Sequence, residues 1–556
     1  MAAGIRLGRA ARRAATRRAF GRRATLESQE DCNLSNPYHS VFLRVPRSWP
    51  RGRMQRLTES AVSSRDRVLP LLPRLIVLCF LAGTGADPDL FGHLTFGREI
   101  VHALHVHAAD PYSFTSDVPW VNHEWLAEAA MWLAWAAGGA PGLIALKLAL
   151  AAIAGALMLS TWKPFALRLV PREGLLFVIA LAAWPQFVSA RPQMFSLAAF
   201  AWLLYELERF RRGTDRGLWR LPMLFALWVN LHGGWLVGAG VLVLFTVVTL
   251  LNPAFEMRRR VRLLAIGAAS AVATLINPYG PAMLGFLADT VRPERADILE
   301  WSPITALPPI IMAIMAVPIV LGIAAAWRGG RAIPRSSLVI CAVLAIGALR
   351  VARLVGFCGI AVGFLLAPYL IAPAGEASGA PAPAHESRRR PGAWATELVL
   401  AIAIIAVAVG LFGRTIAMDG EWQPEPDAIA AIKAHHLRGR MLTWFNYGEY
   451  AIWHLWPEIQ VSNDGRRETV YSDRVRQAHA VIYADKPGAI DALERMHPDH
   501  VWLPVESPTI ARLQKTGWST VFRGPLSVVL TRSRVENATP AAQVARSRSP
   551  RVFPGP

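Results

Sequence analysis

Two carboxylates, a histidine and an arginine fall within one short stretch, Asp87-Pro88-Asp89-Leu90-Phe91-Gly92-His93-Leu94-Thr95-Phe96-Gly97-Arg98, directly after the first apolar run of the chain. Charge at the mouth of a membrane helix is costly to keep, so the cluster reads as a catalytic loop. Asp87 and Asp89 can bind a divalent ion through oxygen ligands, or one of them can serve as a general base with a raised pKa. If the stretch is helical, Asp89 and His93 stand at i and i+4 and share a face. A carboxylate that activates an acceptor, beside cations that take the charge of a departing phosphate, suits sugar transfer from a phosphate carrier.

The elements that must position these groups are membrane helices. Of the 556 residues 53% are hydrophobic and 18% charged, against about 25% charged in soluble proteins. Mean hydropathy is +0.31, and apolar runs of about 17 to 22 residues recur, each long enough to cross the hydrocarbon layer. The net charge of +20 follows from arginines gathered in cytoplasmic loops, so no nucleic-acid partner is expected. Cys79, Cys341 and Cys358 lie in apolar runs and Cys32 in the N-terminal region, so no disulfide framework is indicated.

Residues 1–67, with fifteen arginines and no spanning run, read as a disordered basic arm, a transit-like leader or an early start. The membrane region is expected over 68–413. Its spans fall near 69–86, 141–160, 174–190, 192–207, 219–232, 234–252, 263–277, 307–326, 336–349, 354–372 and 396–413, about eleven in all. Glu124 to Ala137 is read as an amphipathic helix in the outer interface, anchored by Trp125, Trp132 and Trp135, which makes 87–140 one outer loop. The basic connections Lys163 to Arg172, Arg209 to Arg220, Arg258 to Arg262, Arg328 to Arg335 and Arg388 to Arg390 then share the inner side with the N-terminus.

That topology sorts the unusual polar residues. Asp87, Asp89, His93, Arg98, Asp110, His123, Glu124, Arg191, Gln193, Asn230, His232, Asn277, Tyr279, Glu300, Arg350 and Arg353 collect on the outer side. Arg191, in "SARPQMF", suits phosphate recognition as well as snorkelling. His232, in "NLHGGW", adjoins glycines that allow a close ligand, though a lone histidine in a turn is more often structural. His102, His105 and His107 lack the pairing of a zinc helix. A transporter would set polar groups at the midplane of two related halves, and no such repeat is present.

From 414 to 534 shorter apolar runs alternate with charge. "RMLTWF", "EIQVSND", "HVWLPV", "STVFRG" and "LSVVLTR" predict strands, and Pro426 to His436 and Pro487 to Met496 predict helices. This is an α/β extracytoplasmic domain followed by a disordered tail, 535–556. Asn463-Asp464-Gly465-Arg466-Arg467 reads as a turn by composition, solvated in the commoner account and facing the membrane site in the other.

The ordered set "DPDLFGHLTFGR", "DPYSFT", "WVNHEWL", "ARPQMF" and "NLHGG" resembles the GT-C superfamily of polyprenyl-phosphate-dependent glycosyltransferases. More closely it resembles a bacterial polytopic group with D-x-D-L-W/F-x-H-L-x-x-G-R. The resemblance covers about residues 70 to 534. It implies a polytopic α-helical, GT-C-like fold in a bacterial inner membrane, with a polyprenyl-phosphate-linked sugar as donor and a glycan, lipid or protein as acceptor. Asp89 matches the superfamily's catalytic aspartate, with Asp87 second. His93, Arg98, Asp110, His123, Glu124, Arg191, Gln193, His232 and Arg353 are expected to bind substrate. Asp87, Asp89 and Glu124 are expected to hold a divalent metal, Mg or Mn. No W-W-D-like motif is present, so protein N-glycosylation is not implied. A lipid-linked glycan ligase or polymerase is the alternative enzyme; a transporter or scaffold is the alternative of another class.

Overall fold

Leucine-rich, Pro-containing sequence makes the helix Leu71–Ala82, and Gly83 follows it. The chain then extends as β1, Gly85–Ala86. In this computed structural model residues 71–165, 167–290, 299–372, 393–418, 422–533 and 551–555 are described. The expectations for 1–67, for Arg388 to Arg390 and for 535–550 lie outside those residues. Lys147, fully buried, holds the entry to the acidic loop by donating to Gly83 O at 3.2 Å, Thr84 Oγ1 at 2.6 Å and Phe187 O at 2.9 Å. A buried ammonium in an apolar helix needs such a set of acceptors, and here they fix the chain just before Asp87.

The helix Asp89–Ala103 starts at Pro88, where the missing N–H and fixed φ favour a first turn. Asp87 Oδ1 accepts from Leu90 N at 3.1 Å, satisfying one of the free donors of that turn. The next helix runs Trp125–Trp162 but is interrupted at Gly138 and Gly139, the latter at φ 57°. Only glycine takes that conformation freely, and Pro141 just beyond lacks a backbone donor. The interruption falls between the segments expected at 124–137 and 141–160.

Further helices are Leu169–Ala183, Gln193–Arg211, Arg220–Trp228, Trp235–Leu251, Met257–Ala273, Ala282–Thr290, Pro309–Gly329, Arg335–Arg350, Val355–Leu365 and Ala393–Phe412. Trp125–Phe165 and Pro309–Ala332 are long and apolar enough to cross a bilayer by themselves. Two expected spans are much shorter. Arg220–Trp228 has 9 residues and Val355–Leu365 has 11, which reach only about 14 and 17 Å against a hydrocarbon layer of about 30 Å. The count of eleven full-length spans therefore gives way to a mixture of long and short helices. The shortening of Arg220–Trp228 leaves Asn230 and His232 on a turn rather than inside a helix.

Beyond the helices, Ala417–Met418 forms β2, and five strands follow: β3 (Gly439–Thr443), β4 (Ile459–Val461), β5 (His500–Pro504), β6 (Ser519–Arg523) and β7 (Ser527–Thr531). They form one sheet in the order β4-β3-β5-β7-β6. β3 is parallel to β4 and β5, and β7 is antiparallel to β5 and β6. Helices Gly448–Leu455, Asp473–Tyr483 and Thr509–Lys515 join the two expected from sequence. A small second sheet corrects the expectation of a disordered tail. β8, Arg551–Val552, pairs antiparallel with β2, which pairs parallel with β1. Phe553 packs on Phe91 and Trp135, with ring centroids at 4.6 and 5.1 Å.

The five-stranded sheet is bolted to the first loop. Phe114 N donates to Val461 O at 3.1 Å, and Val461 N donates to Tyr112 O at 3.0 Å. Ser472 Oγ donates to Asp117 at 2.6 Å. The described residues from Leu71 onward cluster as one compact unit.

Candidate active site

The first turn of the Asp89 helix, the start of the Trp125 helix, the turns at 191 and 232 and the loop 465–469 surround one cavity of about 1510 Å³. Asp89, His93, His123, Glu124, Arg191, Gln193, His232 and Arg353 all line it. Three other expected residues do not. Asp87 stands behind the wall, capping the helix and pairing with Arg191 Nε. Arg98 points elsewhere, with its guanidinium over Trp132 and Trp453 at 5.9 and 5.6 Å. Asp110 is bound by Arg466 at 2.6 and 3.0 Å. The helix carries Asp89 and His93 on the cavity side, and Arg98, nine positions after Asp89, falls on another face.

Arg191 is a hub. It pairs with Asp87, sits 3.6 Å from Asp89 Oδ2 and 3.0 Å from Glu300 Oε1. Pro192 starts the following helix, so the arginine is held at a fixed point between two helices. Burial is the larger influence on Asp89 and raises its carboxyl above the ordinary range, with Arg191 pulling the other way. A raised carboxylate beside a fixed cation is a suitable base for a hydroxyl proton.

Glu124 is ringed by imidazoles. His123 Nε2 lies 3.4 Å away, His232 Nε2 3.6 Å and His93 Nδ1 4.0 Å. Burial alone would raise Glu124, but these neighbours outweigh it and hold the carboxyl well below its usual range. His93 meets Glu128 Oε1 at 3.1 Å, and Asn122 Nδ2 secures the other Glu128 oxygen at 2.6 Å. Burial lowers His93, yet the Glu128 hydrogen bond and the charges of Glu124, Glu128 and Asp89 carry its pKa up to about 9.

One atom each from His93, Glu124 and Glu128 lies within 4.8 Å of the others, close enough to share a metal ion. This group shares Glu124 with the expected set of Asp87, Asp89 and Glu124. Asp87 is engaged by Leu90 N and Arg191, and Asp89 by Arg191. One imidazole with two carboxylates fits a divalent ion; the nitrogen ligand favours Mn or Zn over Mg.

Both ring nitrogens of His232 meet groups that can only donate: Gly234 N lies 2.9 Å from Nδ1 and Arg353 Nη2 3.2 Å from Nε2. Trp228 Nε1 donates to Ser196 Oγ at 2.7 Å, and Ser196 Oγ lies 2.8 Å from Nδ1. The ring is thus held at both edges, with Nε2 toward Arg353, Glu124 and the cavity.

Sequence reasoning missed Glu128, Glu449 and Arg466, all of which line the cavity. Glu128 had a signal, lying four residues after Glu124 on one helical face. Arg466 belongs to the stretch read as a solvated turn, and that reading is overturned. Asp464 is fully buried and Arg466 is 8% exposed. Its guanidinium lies 5.0 Å from Phe96 and 4.9 Å from Trp120.

No protein-family model and no curated protein sequence matches the chain. Solved structures do. The oligosaccharyltransferase AglB of Archaeoglobus fulgidus, in complex with an inhibitory peptide and a dolichol-phosphate, aligns at TM-score 0.51 and 10% identity, over 86% of this chain and 75% of that one. ArnT from Cupriavidus metallidurans, bound to undecaprenyl phosphate, aligns at 0.48 and 13%, over 84% and 98%. The arabinofuranosyltransferase AftD from Mycobacteria aligns at 0.48 and 14%, over 85% and 40%. The likeness is one of fold. At 10% identity the alignment with AglB shows a shared fold over most of this chain.

Proposed function

We propose that this protein is a membrane glycosyltransferase that moves a sugar from a polyprenyl-phosphate donor to an acceptor at the outer face of a bacterial inner membrane. The N-terminus is then cytoplasmic and the C-terminal α/β domain extracytoplasmic. The observation that carries the reading is the convergence of Asp89, Arg191, Glu124 and His232 on one cavity within a GT-C fold. Asp89 takes the proton of the acceptor hydroxyl as its oxygen bonds to the anomeric carbon. The bond from that carbon to the phosphate oxygen breaks, and the electron pair leaves on phosphate. Arg353 and the Nε2 edge of His232 face the leaving group, and His93 adds positive charge as an imidazolium when no metal is bound. Gln193 and His123 contribute further donors around the substrates. A divalent ion held by His93, Glu124 and Glu128 would supply Lewis-acid stabilisation of phosphate oxygens.

The cavity exceeds the roughly 300–1,000 Å³ of common ligand pockets, which favours a large acceptor. A lipid-linked glycan ligase or polymerase is therefore the second reading. The test is turnover of polyprenyl-phosphate sugars by purified protein in nanodiscs, comparing wild type with Asp89→Asn, each with and without EDTA. Turnover abolished by Asp89→Asn supports the assignment. Full activity in that variant, or none in the wild type with any common donor, removes it.

A further inference from the structure

Among the side chains that the C-terminal domain delivers to the cavity, Glu449 carries a carboxyl group that the chemistry above does not use. Glu449 opens the helix Gly448–Leu455, is 4% exposed and lines the same cavity as Asp89. Its Oε2 accepts from Gly92 N at 3.1 Å, near the start of the helix that bears Asp89. Two glycines permit this approach. A methyl group on Gly92 would stand 2.2 Å from Glu449 Oε2. One on Gly465 would stand 2.6 Å from Glu449 Oε1 and 2.5 Å from Asp89 Oδ1. The two carboxyl groups thus meet over the α-carbon of Gly465, in a space that admits no side chain.

The surrounding charges decide which of the pair is ionised. Asp89 has Arg191 at 3.6 Å. Around Glu449, Asp89, Asp464 and Asp87 all add negative charge, and the cation that opposes them, Arg466, is committed to Asp464 and Asp110. Burial is the larger cause and the Asp89 carboxylate the next, and together they hold the Glu449 carboxyl well above the ordinary range. Two carboxylates crowded together with one attendant cation retain a proton between them, and it stays on the member farther from the cation.

We propose that Glu449 is the neutral, hydrogen-bond-donating partner of Asp89, so that a residue of the C-terminal domain orients the catalytic base. The inference rests on the transferase reading for its consequence in turnover, though not for the pair itself. Glu449 is a positioning residue. It keeps its proton throughout, while the acceptor proton passes to Asp89 and the sugar–phosphate bond breaks.

Two measurements on the full-length protein in nanodiscs test this. The first is independent of turnover: infrared difference spectra between wild type and Glu449→Gln at neutral pH. The carbonyl stretch of a protonated carboxylic acid is expected in the wild type and missing from the variant, and no such difference overturns the pair. The second is steady-state kinetics. Glu449→Gln, whose amide still donates, is expected to keep kcat within about 3-fold, and Glu449→Ala to lose roughly 10- to 100-fold in kcat at unchanged donor KM. Equal losses in Gln and Ala, or a change confined to KM, overturn the positioning role. An infrared band in a protein without turnover would count against the transferase reading alone.

Discussion

Arg466 clasps Asp110 through two parallel hydrogen bonds of 2.6 and 3.0 Å, joining the C-terminal domain to the loop that follows the Asp89 helix. The same guanidinium also holds Asp464 at 2.9 and 2.7 Å. A fork of this kind fixes direction as well as distance, which a lysine cannot do.

The clasp predicts a stability defect larger than that of a surface ion pair. Both partners are buried, so Asp110→Ala leaves part of the Arg466 charge uncompensated and is expected to cost about 3–5 kcal/mol. Arg466→Met, which removes the charge but keeps apolar bulk against Phe96 and Trp120, strands Asp464 and Asp110 instead and costs a similar amount. Chemical denaturation of both variants and of the double variant checks this. Costs that simply add would show that the pair is not coupled.

His93 predicts a pH dependence with a definite sign. Its folded pKa of about 9 stands above the ordinary 6.5. The stabilisation from its protonated form is therefore fully present below about pH 6.5 and is lost as pH rises through about 9. Thermal melting in the presence of EDTA should show wild type losing stability relative to His93→Asn across that interval. A difference that stays flat would mean the imidazolium is not held by Glu128 and Glu124.

Metal binding should displace the same proton. If His93, Glu124 and Glu128 ligate a divalent ion, His93 enters as a neutral ligand and about one proton leaves per ion at neutral pH. Calorimetric titration of metal-free protein with manganese, repeated in buffers of different ionisation enthalpy, measures that release. Glu128→Gln is expected to weaken binding roughly 10-fold or more, whereas Asp87→Asn leaves it nearly unchanged. The reverse order would return the site to the aspartate pair.

Ser196 lies behind His232 and is fully buried. Ser196→Ala deprives Trp228 Nε1 of its acceptor and His232 Nδ1 of one partner, at a cost of about 1–3 kcal/mol in stability. It also loosens the His232 ring at the cavity edge, so kcat should fall roughly 10-fold. Ser196→Thr, which restores the hydroxyl, should recover most of that loss. Turnover unchanged in Ser196→Ala would show that the hydroxyl does not orient the histidine.

Much of the helix and strand pattern was legible because it rests on local rules. Apolar runs marked most of the helices, and alternation marked β3 to β7. The short helix Arg220–Trp228 was not legible. Its apolar composition continues through Val229 and Leu231, so hydropathy does not register the turn that frees Asn230 and His232. Glu449 carried no local signal at all. Its place is made by glycines at 92 and 465, far apart in sequence, and only tertiary packing brings them together. Arg466 was misread because Asn-Asp-Gly composition describes a turn without describing what covers it. The grouping of His93, Glu124 and Glu128 was missed for a related reason. Sequence spacing could not show that Asp87 is used by its own helix and by Arg191.

The ribbon of β1, β2 and β8 sets an order of events in biosynthesis. Gly85 and Ala86, the residues that lead into Asp87, are laid against Ala417 and Met418, which are in turn held by Arg551 and Val552. A nascent chain that has already made every helix from 71 to 412 still lacks these partners. The acidic loop is thus completed only when the last strands have emerged from the ribosome, and a translation product stopped before them would carry the aspartates without the strand partners that seat them.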